Sequence, residues 1–123
     1  MNRSPVSEPS VLYGIVEDEA VRDSITVLFV TRGLTGRMYS AVQAFLDDHY
    51  LPALASGCLI IDVSGQTGTG VELLKQLRDR GLRLPAVILG GPLDQMDTTV
   101  LEKPVTASDL ITHVERALGR SRG

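Results

Sequence analysis

Three acidic side chains and one lysine stand near the ends of predicted β-strands in this sequence. Glu17 and Asp18 follow the first strand, Asp62 interrupts the apolar third strand, and Lys103 follows the fifth. Because ligands of open α/β sheets bind beyond the carboxyl ends of the strands, these side chains are expected to converge. Carboxylates are ligands that Mg²⁺ prefers, and an aspartate can attack a phosphoryl group. A metal and a lysine would offset the negative charge, so the pattern predicts a site for Mg²⁺ and phosphate.

The elements that would position these residues alternate along the chain. Short apolar runs predict five strands, at residues 11–16, 35–39, 58–63, 86–89 and 99–101. Apolar stripes at helical spacing predict helices at about 20–32, 40–50, 71–81 and 106–118. Ser40 with Gln43 matches a capping box for the second helix, and Thr106 is expected to begin the last. The alternation predicts a parallel α/β sheet with helices on both faces.

The connection between the last two strands is short for a crossover that contains a helix. Ten residues, GGPLDQMDTT at 90–99, separate Leu89 from Val100. A crossover with its helix normally needs at least about 10–12 residues. The fourth helix is therefore expected to be one turn at most or missing, so that the five strands are accompanied by four full helices.

Composition limits the possible functions. The 123 residues suit one domain, and no apolar run reaches the roughly 18 residues that a membrane span needs. The net charge of −3 argues against a nucleic-acid-binding surface. The single cysteine, Cys58, excludes an internal disulfide, fits a reducing cytoplasm and is expected to lie in the core. We expect a flexible N-terminal arm at 1–10, the domain at 11–118 and a C-terminal tail at 119–123.

The order of these motifs resembles the receiver domain of bacterial response regulators. The acidic pair is followed by LIIDV, which contains Asp62, then by GVEL at 70–73 and LEKP at 101–104. The segments EDEAVRDSI and SAVQAFL are most similar to the FixJ-type branch of that family. The resemblance covers about residues 11–118. It implies a CheY-like, flavodoxin-like fold, which is a doubly wound five-stranded parallel sheet in the order 2-1-3-4-5.

The resemblance also implies a role for each candidate residue. Asp62 would accept the phosphoryl group, and Lys103 would contact the phosphoryl oxygens. The peptide bond between Lys103 and Pro104 would be cis, which is a minority state for X–Pro bonds. Mg²⁺, the one implied cofactor, would be held by Glu17, Asp18, Asp62 and the backbone carbonyl of Ser64.

Several positions depart from the family's pattern. The acidic loop is one residue shorter, which leaves open which of Val16, Glu17 and Asp18 fill its two acidic positions. Gly90 stands where the fourth strand usually ends in Thr or Ser, and Val100 stands where a Tyr or Phe usually rotates during switching. The acceptor and the lysine remain while the usual switch residues are replaced. We therefore expect slower or weaker phosphorylation, with a conformational response that takes another route.

The predicted function is that of a single-domain response regulator in a two-component phosphorelay. The protein would accept a phosphoryl group on Asp62 from a sensor histidine kinase or a phosphotransfer protein, and would signal in the cytoplasm through protein–protein interaction. We expect no DNA-binding domain after residue 118 and no membrane contact, and Val100 is a candidate contact for a homodimer. The chain would be a phosphoacceptor that promotes its own phosphorylation, not an ordinary enzyme.

The main alternative is a pseudo-receiver, an interaction module that phosphorylation does not control, and the two switch replacements favour it. A small nucleotide-binding enzyme is a further alternative. It is disfavoured because the glycine-rich stretch 65–70 lacks the Lys and Ser/Thr of a phosphate-binding loop. Individual residues also have simpler interpretations. Glu17 and Asp18 would belong to a solvated acidic loop that caps the next helix. His49 would be a surface or a structural residue, and Arg78 would lie at a solvated helix end.

Overall fold

A computed structural model describes residues 11–63, 70–90, 99–101 and 105–122 of the chain. The strands are β1 (Val11–Val16), β2 (Thr35–Tyr39), β3 (Cys58–Asp62), β4 (Ala86–Leu89) and β5 (Thr99–Leu101). The helices are α1 (Glu19–Thr31), α2 (Val42–Asp48), α3 (Gly70–Asp79) and α4 (Ala107–Arg122), with a 3₁₀ turn at Leu51–Ala53. The alternation of strands and helices confirms the predicted α/β class.

The sheet has the predicted topology. Its five strands lie in the order β2-β1-β3-β4-β5, and every neighbouring pair is parallel. The register places Val16, the last residue of β1, opposite Asp62, the last residue of β3. Because the strands run in one direction, their carboxyl ends meet at one edge of the sheet, and the order of connection reverses between β1 and β3.

The central strand β3 is covered on both faces. Leu59 and Ile61 pack with residues of α2 and α3 on one face, whereas Cys58 and Ile60 pack with residues of α1 and α4 on the other. All four side chains have 0% exposure. Burial on both faces explains why the strand is apolar at every position before Asp62. Since alternate residues of a strand face the same side, Asp62 belongs to the face covered by α1 and α4.

Helix α3 begins in direct contact with the sheet at Gly70. A Cβ atom at this position would lie 2.7 Å from Cγ2 of Ile88 and 3.2 Å from Cγ2 of Ile61. Both distances are shorter than the roughly 3.5–4.0 Å of an ordinary carbon contact. The missing side chain therefore lets the first turn of α3 lie against β3 and β4, close to where β3 ends.

The helix limits confirm one predicted cap and correct another. The Thr106 hydroxyl accepts a hydrogen bond from the backbone N–H of Asp109 at 3.0 Å, as expected for the start of α4. The capping box at Ser40 is wrong, because Ala41 is the N-cap of α2 and no side chain caps that helix. Ala41 has an extended backbone, with φ −150° and ψ 152°. The chain therefore leaves β2 in extended form for one residue longer than a cap at Ser40 requires.

Other predicted limits fall beyond helix ends or beyond the described residues. Helix α4 continues to Arg122, so the predicted tail after residue 118 is helical as far as that residue. The predicted N-terminal arm at 1–10 and most of the short connection between β4 and β5, at 91–98, lie outside the described residues. Four α-helices are present in the described ranges, which agrees with the expected number of full helices. None of these helices is long and apolar enough to cross a membrane.

Candidate functional site

The candidate site is built around Asp62 at the carboxyl end of the central strand. Its side chain is 5% exposed, and it is the one charged or polar residue among the described residues that is buried. Burying a carboxylate costs free energy unless its surroundings compensate for the lost water. A protein of this size keeps such a group where its charge is used, which agrees with the functional interpretation of Asp62.

Glu17 lies beside Asp62 because of the strand register. Val16, the last residue of β1, is opposite Asp62, and Glu17 is the residue that follows β1. The backbone N–H of Glu17 donates a hydrogen bond to the backbone carbonyl of Asp62 at 3.2 Å. This bond extends the ladder between β1 and β3 by one residue. The structure thus places the backbones of Glu17 and Asp62 side by side, and their joint role as metal ligands stays a prediction.

Asp18 serves as the N-cap of α1. Its Oδ1 accepts a hydrogen bond from the backbone N–H of Val21 at 3.0 Å, and the residue is exposed. The capping interpretation is therefore confirmed for Asp18, while its role as a metal ligand stays a prediction. Across the described ranges, no three His, Cys, Asp or Glu side chains come together as a ready set of metal ligands.

Arg22, in the second turn of α1, reaches back to the end of β1. Its Nη1 donates to the carbonyl of Val16 at 2.9 Å and to the carbonyl of Glu17 at 3.4 Å. The sequence interpretation used Arg22 only as part of the family motif. The signal that could have revealed this contact is the spacing in the sequence. Arg22 lies six residues after Val16 and five after Glu17, so its long side chain can reach back from the helix to the end of the preceding strand.

A cavity of about 440 Å³ lies between α1 and α4, and Asp62 forms part of its wall. Most of its other lining side chains are apolar, with hydroxyl groups from Ser24 and Thr106. The apolar contributors are Ala20, Val21, Ile25, Leu28, Leu89, Val105, Ala107 and Leu110. Asp62 thus borders a space large enough for a small group.

Gly90, the residue that follows β4, has a backbone conformation that few other residues adopt. Its φ is +79°, and its N–H donates to the carbonyl of Leu101 at 2.7 Å. This left-handed backbone is strained for a residue with a Cβ atom. Val100, at the other replaced position, is half-buried and packs against the core. Both replacements therefore fit their local structure, and a homodimer through Val100 stays a prediction.

Three predicted features lie outside the described residues. Lys103, the cis bond between Lys103 and Pro104, and the backbone carbonyl of Ser64 are among them. The roles that the family resemblance gives them therefore stay predictions.

A second group of polar side chains lies around His49. The Tyr39 hydroxyl donates to Oδ2 of Asp48 at 2.9 Å and lies 2.9 Å from Nε2 of His49. Because a carboxylate only accepts hydrogen bonds, the one hydroxyl proton goes to Asp48, and Nε2 of His49 must donate to the Tyr39 oxygen. The rings of Tyr13 and Phe45 contact His49 with centroids 5.0 and 5.1 Å away. His49 is structural, as expected.

Burial shifts the ionisation of this group. Removal from water lowers the pKa of His49, opposed by the charge of Asp48, and the positive charge of Arg37 adds to the lowering. Burial also raises the pKa of Tyr39, and the hydrogen bond to Asp48 raises it further. The neutral forms of both rings are therefore favoured by the fold, which suits a packing role.

Arg78 corrects the expectation of a solvated helix end. Its Nη1 donates to the carbonyl of Leu82 at 3.1 Å and to the carbonyl of Leu84 at 2.6 Å. The side chain is half-buried, and burial lowers the pKa of its guanidinium. The charged residues that follow it, Asp79 and Arg80, are exposed and gave no sign of these contacts.

Known proteins match the chain in sequence and in structure, although no family model matches it. The transcriptional regulatory protein FixJ of Azorhizobium caulinodans is 34% identical over 119 residues, which cover 89% of this chain and 56% of that protein. The transcriptional regulatory protein TdiR of Thauera aromatica is 34% identical over 131 residues, covering 99% of this chain and 57% of that protein. The chain thus spans a little more than half the length of these relatives.

A solved structure shares the fold. Full-length FixJ from B. japonicum matches with a TM-score of 0.77 and 30% identity, over 94% of this chain and 60% of that one. The sequence relatives and the common fold identify the chain as a receiver domain of the response-regulator family.

Proposed function

We propose that this domain accepts a phosphoryl group on Asp62 from a sensor histidine kinase or a phosphotransfer protein, and passes the signal on by binding partner proteins. The observation that carries the proposal is the buried carboxylate at the carboxyl end of the central strand, beside Glu17 and on the wall of a cavity. A structural role alone gives little reason to bury one carboxylate at this point of an otherwise apolar layer.

The proposed reaction is a phosphoryl transfer between two protein side chains. A carboxylate oxygen of Asp62 forms a bond to phosphorus, and the bond from phosphorus to the donor's histidine nitrogen breaks. The nitrogen keeps the bonding electrons, so the donor leaves with a free imidazole and Asp62 becomes an acyl phosphate. Lys103, by its family role, would neutralise part of the charge on the phosphoryl oxygens.

The donor set present suits Mg²⁺. Asp62 ends β3, and Glu17 directly follows the last residue of the neighbouring strand β1. Mg²⁺ is usually held by one or two carboxylates with water and phosphate oxygens. Asp62 and Glu17 would hold the ion, with the backbone carbonyl of Ser64 as the family predicts. When bound, Mg²⁺ would offset the negative charge that collects as the phosphoryl group reaches the carboxylate.

The experiment that tests the proposal is intact mass measurement after incubation with Mg²⁺ and acetyl phosphate. We expect one phosphoryl adduct in the wild type and none in Asp62→Asn. Asp79→Asn, at an exposed residue near the end of α3, is the matched control and should be modified like the wild type. An adduct that persists in Asp62→Asn would show that another residue is the acceptor.

A pseudo-receiver remains the second candidate, and three observations favour it. Gly90 has no hydroxyl and a left-handed backbone, Asp18 is used as a helix cap, and the described residues hold no cluster of three metal-binding side chains. Mg²⁺ titration followed by NMR discriminates the two candidates. An acceptor should show Mg²⁺-dependent shifts at Glu17 and Asp62, whereas a pseudo-receiver without adduct or shifts would be a constitutive interaction module.

A further inference from the structure

The structure gives Arg22 a specific geometric task at the acceptor end of the sheet. The carbonyl groups of Val16 and Glu17 lie at the end of β1, and backbone carbonyls that are shielded from water are normally hydrogen-bonded. One nitrogen of the Arg22 guanidinium meets both, at 2.9 and 3.4 Å. The backbone N–H of Arg22 donates to the carbonyl of Asp18 at 2.9 Å, which fixes the start of α1 at the same turn.

These bonds hold one peptide group from both sides. The peptide between Val16 and Glu17 has its carbonyl on Arg22 and its N–H on the carbonyl of Asp62, at 2.9 and 3.2 Å. A peptide plane that is bonded at both its donor and its acceptor has little freedom to rotate. Arg22, together with the carbonyl of Asp62, thereby restrains the peptide group from which Glu17 continues.

We propose that Arg22 is a positioning residue of the acceptor site, which orients Glu17 beside Asp62 and so improves the binding of Mg²⁺ and the uptake of a phosphoryl group. The inference rests on the proposed phosphoacceptor function. Arginine suits the task because its planar fork presents donors in fixed directions, whereas lysine carries a flexible point charge. A mutation that loosens such an outer residue typically weakens metal binding or activity by about 10–100-fold.

Two other arginines allow matched controls. Arg78 also donates one guanidinium nitrogen to two loop carbonyls and is also half-buried, but its loop carries no acidic residue of the site. Arg32 is exposed and lies at the opposite end of α1, as its C-cap residue. Arg78→Met therefore controls for the loss of a structural contact, and Arg32→Met controls for the loss of one positive charge on the same helix.

The test compares Arg22→Met, Arg22→Lys and the two controls with the wild type. The readouts are the Mg²⁺ concentration for half-maximal phosphorylation by acetyl phosphate, the rate at saturating Mg²⁺, and amide hydrogen exchange at Glu17 without Mg²⁺. For Arg22→Met we expect about a tenfold or greater rise in the Mg²⁺ requirement, a smaller change in the saturated rate and faster exchange at Glu17. Arg22→Lys should lie between, and both controls should match the wild type.

Several outcomes would overturn the inference. If Arg22→Met and Arg78→Met change the Mg²⁺ requirement equally, Arg22 acts only as a structural contact, although the acceptor function stands. If Arg22→Met does not fold, Arg22→Lys decides, and a wild-type Mg²⁺ requirement with wild-type exchange at Glu17 rejects the positioning role. If the wild type itself takes up no phosphoryl group, the proposed function fails and the inference falls with it.

Discussion

Two arginines make the same kind of contact at different loops of this domain. Arg22 donates to two carbonyls at the end of β1, and Arg78 donates to the carbonyls of Leu82 and Leu84 ahead of β4. The loop bound by Arg22 carries Glu17, whose N–H donates to the carbonyl of Asp62. The loop bound by Arg78 carries two leucines that are 2% and 1% exposed. The same kind of contact thus holds a loop at the candidate site in one place and a loop that lines the core in the other.

Arg78→Met tests the core half of this comparison and should have the largest effect on stability. The change leaves the carbonyls of Leu82 and Leu84 without their partner, and we expect the free energy of unfolding to fall by about 2–3 kcal/mol. Urea unfolding measures the loss. Phosphorylation of the folded variant should be unchanged. A loss well below 1 kcal/mol would mean that water replaces the guanidinium without cost, against the half-buried position of Arg78.

Gly90→Thr tests the acceptor end through its backbone. The hydroxyl that the family usually carries would return, but the left-handed backbone of Gly90 opposes any residue with a Cβ atom. We expect the free energy of unfolding to fall by about 1–2 kcal/mol. Gly90→Asn is the matched control, because Asn tolerates this conformation better and should lose less. Equal stability of Gly90→Thr and the wild type would show that β4 can end in another conformation.

Asp18→Ala and Asp18→Asn separate the two possible uses of one carboxylate. Loss of the cap in Asp18→Ala should lower the free energy of unfolding by about 1 kcal/mol, whereas Asn can still accept the hydrogen bond from Val21 and should be nearly neutral. Thermal unfolding measures both. If Asp18 also holds Mg²⁺, Asp18→Asn should weaken Mg²⁺ binding at unchanged stability. If Asp18→Asn binds Mg²⁺ as tightly as the wild type, Asp18 acts only as the N-cap of α1.

His49 provides the smallest expected effect, and it depends on pH. Burial lowers the pKa of His49 in the fold, so the unfolded chain binds more protons than the folded one below about pH 6.5. The free energy of unfolding should therefore be fully maintained above that pH and should decrease as pH falls below it. Unfolding in urea at a series of pH values measures the slope. His49→Gln should flatten the slope, and an unchanged slope would assign it to carboxylates elsewhere.

Much of the fold could be predicted because strand signals were strong. The run around β3 is apolar at every position before Asp62, as two covered faces require, and β1 ends where the acidic residues begin. The neighbouring positions of Glu17 and Asp62 follow from two strand ends that share an edge of the sheet. Periodicity predicted the elements, whereas the family resemblance implied the order of the strands.

The remaining features depend on conformation that residue types do not encode. The sequence does not show whether the extended backbone after β2 ends at Ser40 or at Ala41. The capping box was therefore placed one residue too early. The sequence shows that Gly90 stands where the family has a hydroxyl residue. It does not show that the backbone of Gly90 is left-handed. Arg22 and Arg78 each bind carbonyls four to six residues away, and a long flexible side chain can reach many such partners. Such contacts require coordinates.

The buried thiol of Cys58 can be used to measure local opening of the sheet. It is the one cysteine in the sequence, and it has no exposed surface in the middle strand of the sheet. A thiol reagent can react with it only when β3 becomes accessible, so the labelling rate measures how often the sheet opens. Following that rate under phosphorylating conditions would show whether a phosphoryl group on Asp62 tightens or loosens the strand, without any change to the sequence.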